Sequence, residues 1–551
     1  MGKFEKEIKA YVLKNAIDYG KAEAGKILGK LFQHGLMKEE IKEIIPEIIK
    51  IVDEINKLTN KERKLLFANY EGIVKIHEEK ERDLPELANV HEKVVLRVAP
   101  FPSGALHLGN AKTFLLNALY AEKYKGKLLL VIDDTIGSAE KQIQKESYGL
   151  IEEAFNLLDV KFSDKIIYKS DRLKVYYKYA LDIIKKNRAY VCHCSQEELK
   201  KNREERRECG CRQLPVSMQI KRWKEMFKLK EGKATLRIKT DMLHPNPAFR
   251  DRVLFKISDR KHPRVGRKYR VWPTLEMSWA VDDHLLGISH VIRGNDLMIE
   301  SEMEKYIWDI FGWKHPVLIH TGLVQIEGVK IAKSKAQEEV KSGKYIGWND
   351  PRTWSMQSLI KRGIKAEAVK EFVKEIGLNK QDITVPIESL YAINRRLIDK
   401  EANRYSFIQK PIKLKIENKP DWKEIEIPIH PDKVQMRKIK LGEIYISQND
   451  FYTYRGQEIR LLHLYNIKLW DECSLTSIEN KDIQKINWVS EHVKVRVLMP
   501  NGEWIDGFAD SGVSELQKGS QIQFERFGFC RYDGKKRADG KGIYEFWFGH
   551  K

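Results

Sequence analysis

No run of about 18 or more consecutive apolar residues occurs in this 551-residue chain, so nothing in it reads as a membrane-spanning helix. The opening residues, MGKFEKEIKAYVLKN, are charged from the start and lack the apolar core of a secretory signal. No internal repeat and no low-complexity tract is found. Cysteine is scarce: six residues, and they are not spread as a disulfide framework would be. Cys473 and Cys530 stand alone, whereas Cys192, Cys194, Cys209 and Cys211 share one short window. In a chain with no signal peptide that clustering reads as an intracellular metal site. A cytoplasmic protein is therefore expected. Acidic residues are in deficit, 79 against 100 Lys and Arg, giving a formal net charge of +21. A folded protein with that surplus suits a polyanionic partner, nucleic acid first. A lysine-rich proteome produces the same sign, so charge alone does not decide.

What is present falls into regions. Up to about residue 80 the texture is helical: Ile41, Ile44, Ile45, Ile48, Val52 and Ile55 recur at three-to-four spacing and make one apolar face. The segment KERDLPELANVHE reads as a linker. From Val94 the pattern changes. VVLRV reads as a buried strand, Leu106 to Tyr124 as a helix, and KLLLVI (Lys127 to Ile132) as the next strand. Strand, Gly-rich turn, helix, strand is a βαβ unit and predicts a parallel, Rossmann-like sheet. After about residue 410, runs such as KPIKLKIEN, EIEIPIH and VKVRVLM alternate apolar and polar residues, which predicts antiparallel β structure in small barrels.

The first βα turn is PFPSGALHLGN, Pro100 to Asn110, with two prolines and two glycines around one histidine, His107. Ligands of doubly wound folds bind where strands end and helices begin, and a helix N-terminus offers free N–H groups and a positive dipole end to an anion. Gly109 allows a flat group or a phosphate close to the backbone. An imidazole there can donate to a phosphate oxygen in a transition state. A structural histidine in a Pro/Gly turn is the bland alternative, and the strand before and helix after lower its weight.

RVAPFPSGALHLGNAK resembles the first signature of the class I aminoacyl-tRNA synthetases, in the form used by the glutamyl and glutaminyl enzymes. The partner signature is matched by KIAKS, Lys330 to Ser334. WAVDDHLLGISHVIRGND (279–296), GWNDPRTWSMQSLIKRGI (347–364), SLYAINRRLIDKEANRYSFI (389–408) and GQEIRLLHLYN (456–466) resemble further blocks of the archaeal-type glutamyl-tRNA synthetases, so the likeness covers nearly the whole chain. It implies a multidomain α/β architecture. A helical N-terminal region (1–90) precedes the first half of a Rossmann-like catalytic domain (91–185). An insertion that binds the acceptor end (186–265) and carries a zinc knuckle follows, then the second catalytic half with the KIAKS loop (266–335). A helical junction (336–408) leads to an all-β anticodon-binding region (409–551).

The resemblance also implies an activity: ATP, with Mg²⁺, drives attachment of L-glutamate to tRNA(Glu) through a glutamyl-adenylate. It leaves open whether tRNA(Gln) is charged as well, and a monomer is expected. Carried over residue by residue, Pro100, Ser103, Gly104, His107, Gly109 and Asn110 would hold ATP, together with Lys330, Lys333 and Ser334. His107, Lys330 and Lys333 would be catalytic, the two lysines setting point charges against developing negative charge on pyrophosphate. Arg97 and Arg293 would face the substrate's side-chain carboxylate and Asp133 its α-amino group. Val131, Leu275, Leu297, Ala332 and Asn110 depart from the family pattern, which puts the fine shape of the amino acid pocket in question. A glutaminyl enzyme is the nearest alternative; a small-molecule nucleotidylyltransferase and an inactive RNA-binding relative are further ones. In the cysteine window, C-x-C, fourteen residues and C-x-C would supply four thiolates for a tetrahedral zinc site, with His193 as a substitute ligand.

Overall fold

In the computed structural model the described residues are 4–31, 34–37, 40–74, 83–137, 142–329, 333–538 and 541–551, without the side chains of 18, 19, 42, 71, 333, 334, 537, 538 and 541. The chain divides into two compact units, Met1–Arg82 and Asp83–Lys551.

The first unit is helical: α1 (Glu5–Tyr19), α2 (Ala24–Leu31), α3 (Ile41–Asn56) and α4 (Asn60–Phe67). The isoleucine stripe expected from spacing is the inner face of α3, where Ile44, Ile48, Val52 and Ile55 join Ile8 and Val12 of α1 in one core. Thr59 and Glu62 form a reciprocal capping box at the start of α4. The buried Arg63 then ties helix ends together, donating to the carbonyls of Ile55, Gly20 and Asn56.

The second unit opens with β1 (Val95–Val98), α5 (Leu108–Lys123), β2 (Lys127–Ile132), α6 (Ser147–Leu157), β3 (Ile167–Tyr168) and α7 (Leu173–Lys185). An excursion follows, made of β4 (Ala189–Cys192), α8 (Gln196–Glu204), α9 (Val216–Met226), β5 (Thr235–Ile238), β6 (Val253–Ile257) and β7 (Val271–Pro273). Its four strands pair in sequence order, all antiparallel. The chain then returns through α10 (Leu275–Leu285), β8 (His290–Gly294), α11 (Met298–Phe311) and β9 (Val317–Thr321).

The pairs β1–β2, β2–β3 and β8–β9 are parallel. Ser289 N–H, just before β8, donates to Val95 O of β1 at 3.0 Å, and Val95 N–H donates to Ser289 Oγ at 2.8 Å. The resulting order, β3-β2-β1-β8-β9, is the doubly wound arrangement, in which the chain adds strands outward from β1 to one side and then from β8 to the other. KLLLVI forms β2 because every residue after Lys127 is buried, as parallel strands covered on both faces require.

Beyond β9 come β10 (Val324–Glu327), α12 (Lys333–Lys341), α13 (Met356–Lys361), α14 (Ala366–Ile376), β11 (Ile383–Pro386) and α15 (Ile387–Ile398). β10 and β11 pair in parallel. Gly322 is required beside them: a Cβ there would lie 2.0 Å from Gln381 O.

From residue 403 the chain is β-rich, with two seven-stranded sheets. One packs Val497, Phe524, Phe546 and Tyr532 inside; the other packs Ile446, Ile459, Leu461 and Ile467. The short alternating runs are strands, as expected, but the pairing is mixed rather than antiparallel. Asn403–Tyr405 with Gln521–Phe524, and His492–Leu498 with Lys541–His550, run parallel. So do Pro411–Glu417 with Glu472–Ser477, and Glu458–Leu461 with Lys485–Ile486. Alternation marks which residues face inward; it does not say which distant strand lies alongside when a sheet curls back on itself.

Candidate active site

The turn between β1 and α5 is built from its prolines and glycines. Asp133 N–H donates to Pro100 O at 3.1 Å and Ser103 N–H to Phe101 O at 2.9 Å, while Gly104 takes φ +138°, a value that suits glycine. The helix begins at Leu108 rather than Leu106, because the turn extends to His107, whose extended backbone (φ −115°, ψ 166°) makes it the N-cap of α5. Asn110 reaches back, its Oδ1 accepting from His107 N–H at 3.4 Å. A second segment clamps the turn: Leu108 N–H donates to Trp354 O at 3.1 Å, and Met356 N–H to Leu106 O at 2.9 Å. This segment belongs to the 347–364 block.

A cleft of about 890 Å³ opens at the carboxyl ends of the parallel strands. Its walls include Arg97 from β1, Asp133 after β2, Arg293 from β8, Gly109 and Asn110 of α5, and Trp279 of α10. All three residues expected to face the amino acid therefore meet in one cavity. Pro100, Ser103, Gly104 and His107 lie along the adjoining turn. Lys330 lies outside the described residues; Lys333 and Ser334 open α12, their side chains outside the description. Leu275 and Leu297 line the cleft, whereas Val131 is buried in an apolar cluster with Leu129 and Trp279 and cannot reach it.

The charged walls are held by groups that sequence reasoning missed. Arg97 spends Nε and Nη2 on Asp283, at 2.5 and 2.9 Å, and its guanidinium carbon lies 3.4 Å from the Trp279 ring centroid. Arg293 gives Nη1 and Nη2 to Glu304, the first at 2.9 Å and the second at 2.5 Å. Arg293 Nε is buried with no partner. Burial pushes the fully enclosed Glu304 carboxyl up, with Arg293 opposing that rise. Lys169, directly after β3, is wholly buried, 3.3 Å from the Trp279 centroid and 3.3 Å from Asp133 Oδ1. Behind it Asp282 accepts from Arg172 Nε at 2.7 Å and from Tyr176 O–H at 2.6 Å. The sequence carries only a weak signal: Asp282 and Asp283 follow the apolar run WAV in one helix, and carboxylates buried there need partners. The sequence does not say which partners.

In the excursion the two C-x-C pieces meet. Cys192 ends β4, Cys209 and Cys211 come from a short turn before α9, and the four sulfurs all lie within 4.8 Å of one another. Cys192 Sγ and Cys209 Sγ are 3.6 Å apart. The hydrogen bond from Cys192 draws the Cys209 thiol down to about 5, assisted by Tyr190 and Arg237, and the same bond raises Cys192. Four converging sulfurs fit a thiophilic divalent metal; a tetrahedral zinc–thiolate site needs sulfurs about 3.8 Å apart, from bonds of about 2.3 Å. His193 is exposed and outside the cluster. Helix α8, between the two pieces, has no buried residue.

A doubly wound sheet with a charged pocket at its strand ends, followed by β-rich sheets, defines a nucleotide-using α/β enzyme with an appended recognition region. Residues 93–400 match the family described as tRNA synthetases class I (E and Q), catalytic domain. Residues 402–488 and 477–533 match the two anti-codon binding domains of the same group. The chain belongs to this family. It is 40% identical to the glutamate–tRNA ligase of Pyrococcus furiosus over 96% of this chain and 97% of that one. It is 38% identical to the glutamate–tRNA ligase of Methanocaldococcus jannaschii (97% and 98%), and 40% identical to that of Pyrococcus horikoshii (99% and 100%).

Proposed function

We propose that this protein activates L-glutamate with ATP and transfers it to the 3′-terminal ribose of tRNA(Glu). The observation that carries the reading is the convergence of Arg97, Asp133 and Arg293 on one cleft beside the His107 turn. Asp283 and Glu304 each take two of the five N–H donors of Arg97 and Arg293, and the guanidinium donors that remain are the groups for the side-chain carboxylate of glutamate. Asp133 receives the α-ammonium. Held this way, the α-carboxylate of glutamate is presented to the α-phosphorus of ATP on the His107 side of the cleft, and catalysis is mainly positioning. His107 and the N–H groups opening α5 steady phosphate oxygens, and Lys330 and Lys333 balance charge on the departing pyrophosphate. Mg²⁺, when bound, supplies further charge neutralisation on the phosphates. The tRNA hydroxyl then displaces AMP from the adenylate; no side-chain nucleophile is needed. Cys192, Cys194, Cys209 and Cys211 would hold zinc, which would brace the excursion against the acceptor end. The enzyme is proposed to work as a cytoplasmic monomer, and sedimentation at one 64.6 kDa chain per tRNA checks the oligomeric part.

The test is aminoacylation with labelled glutamate and, separately, glutamine, on transcripts of tRNA(Glu) and tRNA(Gln). Glutamate on the first transcript is expected; glutamate on both extends the proposal to tRNA(Gln). Transfer of glutamine, or no transfer to bound tRNA, overturns it.

A further inference from the structure

Lys169 is a buried cation at the strand ends that the mechanism above does not use. It follows β3 directly, as Asp133 follows β2, so the same sheet geometry that delivers Asp133 to the cleft delivers Lys169 behind it. Its side chain has no exposed surface. Its Nζ donates to Ser278 Oγ at 2.8 Å, approaches Asp133 Oδ1 at 3.3 Å and lies 3.3 Å from the Trp279 centroid. Arg97 is 3.4 Å from that same centroid. Two cations cannot share one face of an indole at that height, so Trp279 is held between them.

A buried ammonium is costly to keep, and an apolar side chain would fill the space without that cost. Burial draws the Lys169 ammonium down in pKa, and the charge of Asp133 is among the forces that oppose it. The lysine thus depends on Asp133, and the dependence runs both ways. Thr135 Oγ1 also donates to Asp133, at 3.1 Å, and to the same oxygen, Oδ1. Two donors on Oδ1 fix the plane of the carboxylate and leave Oδ2 as its acceptor for a ligand.

We propose that Lys169 is a positioning residue for amino acid binding: clamped by Ser278 and Trp279, it holds Asp133 through Oδ1 so that Oδ2 receives the substrate's α-ammonium. The inference rests on the proposed amino acid site but not on the choice of glutamate, since every α-amino acid carries the ammonium.

The experiment is tRNA-supported ATP–pyrophosphate exchange, run on the full chain with whichever of glutamate or glutamine the wild type activates. Lys169→Gln is expected to raise KM for the amino acid about tenfold and to leave KM for ATP within twofold. Thr135→Val, which removes the second donor to Oδ1, is expected to raise the amino acid KM about threefold, again with ATP unaffected. A folded Lys169→Gln protein with unchanged amino acid KM overturns the proposal, as does a parallel rise in both KM values, which is the signature of a strut that only supports the fold. Should Lys169→Gln fail to fold by circular dichroism, Thr135→Val decides alone: an unchanged amino acid KM overturns the proposal. Wild type that activates glutamine and not glutamate defeats the functional reading while leaving this test intact. Activation of neither overturns both.

Discussion

The cleft and the cysteine cluster both bury reactive side chains, and they satisfy them differently. At the cleft and directly behind it four buried or half-buried cations are paired with carboxylates: Arg97 with Asp283, Arg293 with Glu304, Lys169 with Asp133 and Arg172 with Asp282. In the excursion four sulfurs have chiefly one another, with Arg237 Nη1 at 3.8 Å from Cys192 and at 4.0 Å from Cys209. Thiols are weak donors and weak acceptors, so mutual contact replaces little of the hydration they lose. The first region is preorganised by the protein alone and can keep its shape between turnovers. The second has the donor set of a metal site, and with a metal bound its folding would be linked to that metal.

The largest effect expected from this difference is metal removal. The purified chain should carry one equivalent of zinc, and structural zinc binding in small sites amounts to about 10 kcal/mol of folding free energy. Chelation is expected to abolish amide-exchange protection around Ala189–Cys192 and Gly210–Gln213 while strands β1 and β2 stay protected. Protection that survives in zinc-free protein would show the sulfur cluster to be as self-sufficient as the cleft.

The complementary perturbation is Glu304→Ala, which leaves Arg293 buried without its carboxylate. Removing one partner of a buried pair costs about 3–5 kcal/mol, to be read from the urea transition of the catalytic region. Replacing both partners, Arg293→Met with Glu304→Leu, should recover most of that loss while abolishing glutamate activation. A single substitution that costs under about 1 kcal/mol would mean that the pair is not what preorganises the cleft.

The two regions were also unequally legible in the sequence. KLLLVI could be read as a strand to the residue because an apolar run bounded by Gly126 on one side and by Asp133 and Asp134 on the other is a local signal; the observed β2 is Lys127–Ile132. The His107 turn was equally legible, since proline and glycine act locally, although the helix start moved from Leu106 to Leu108 once His107 took the cap. The four cysteines announced themselves by spacing. The partners in the cleft did not: Asp283 is 186 residues from Arg97, and the parallel sheet joins them only after long crossovers. Lys169 looked like any lysine of a basic chain. Strand direction in the β-rich tail was hidden for the same reason, because periodicity describes a strand's faces and not its neighbours.

A third way to bury a titratable group sharpens the contrast: neither pairing its charge nor waiting for a metal, but giving the charge up. His550, 1% exposed at the end of the last strand, bonds through Nδ1 to Lys551 O and through Nε2 to Asn394 Nδ2, both at 2.9 Å. The carbonyl requires Nδ1 to carry the proton and the amide N–H requires Nε2 to accept, so the neutral ring fits and the imidazolium does not. Burial, with Arg395 and Arg362 nearby, lowers its pKa from 6.5 to about 4. The folded value lies below the unfolded one, so between these pH values the unfolded chain binds more protons. The stabilisation is full above about pH 6.5 and is lost as pH falls toward 4, by about 3 kcal/mol for this one group. It acts where α15 meets the terminal strand, beside the bonds from Arg362 to Phe548 O and Gly549 O. Thermal unfolding of wild type and His550→Gln should therefore differ in slope across pH 4–6.5, the variant losing less stability on acidification, and should run parallel above pH 7. Equal slopes would mean that His550 titrates freely and that the junction tolerates a charge the cleft would have to neutralise.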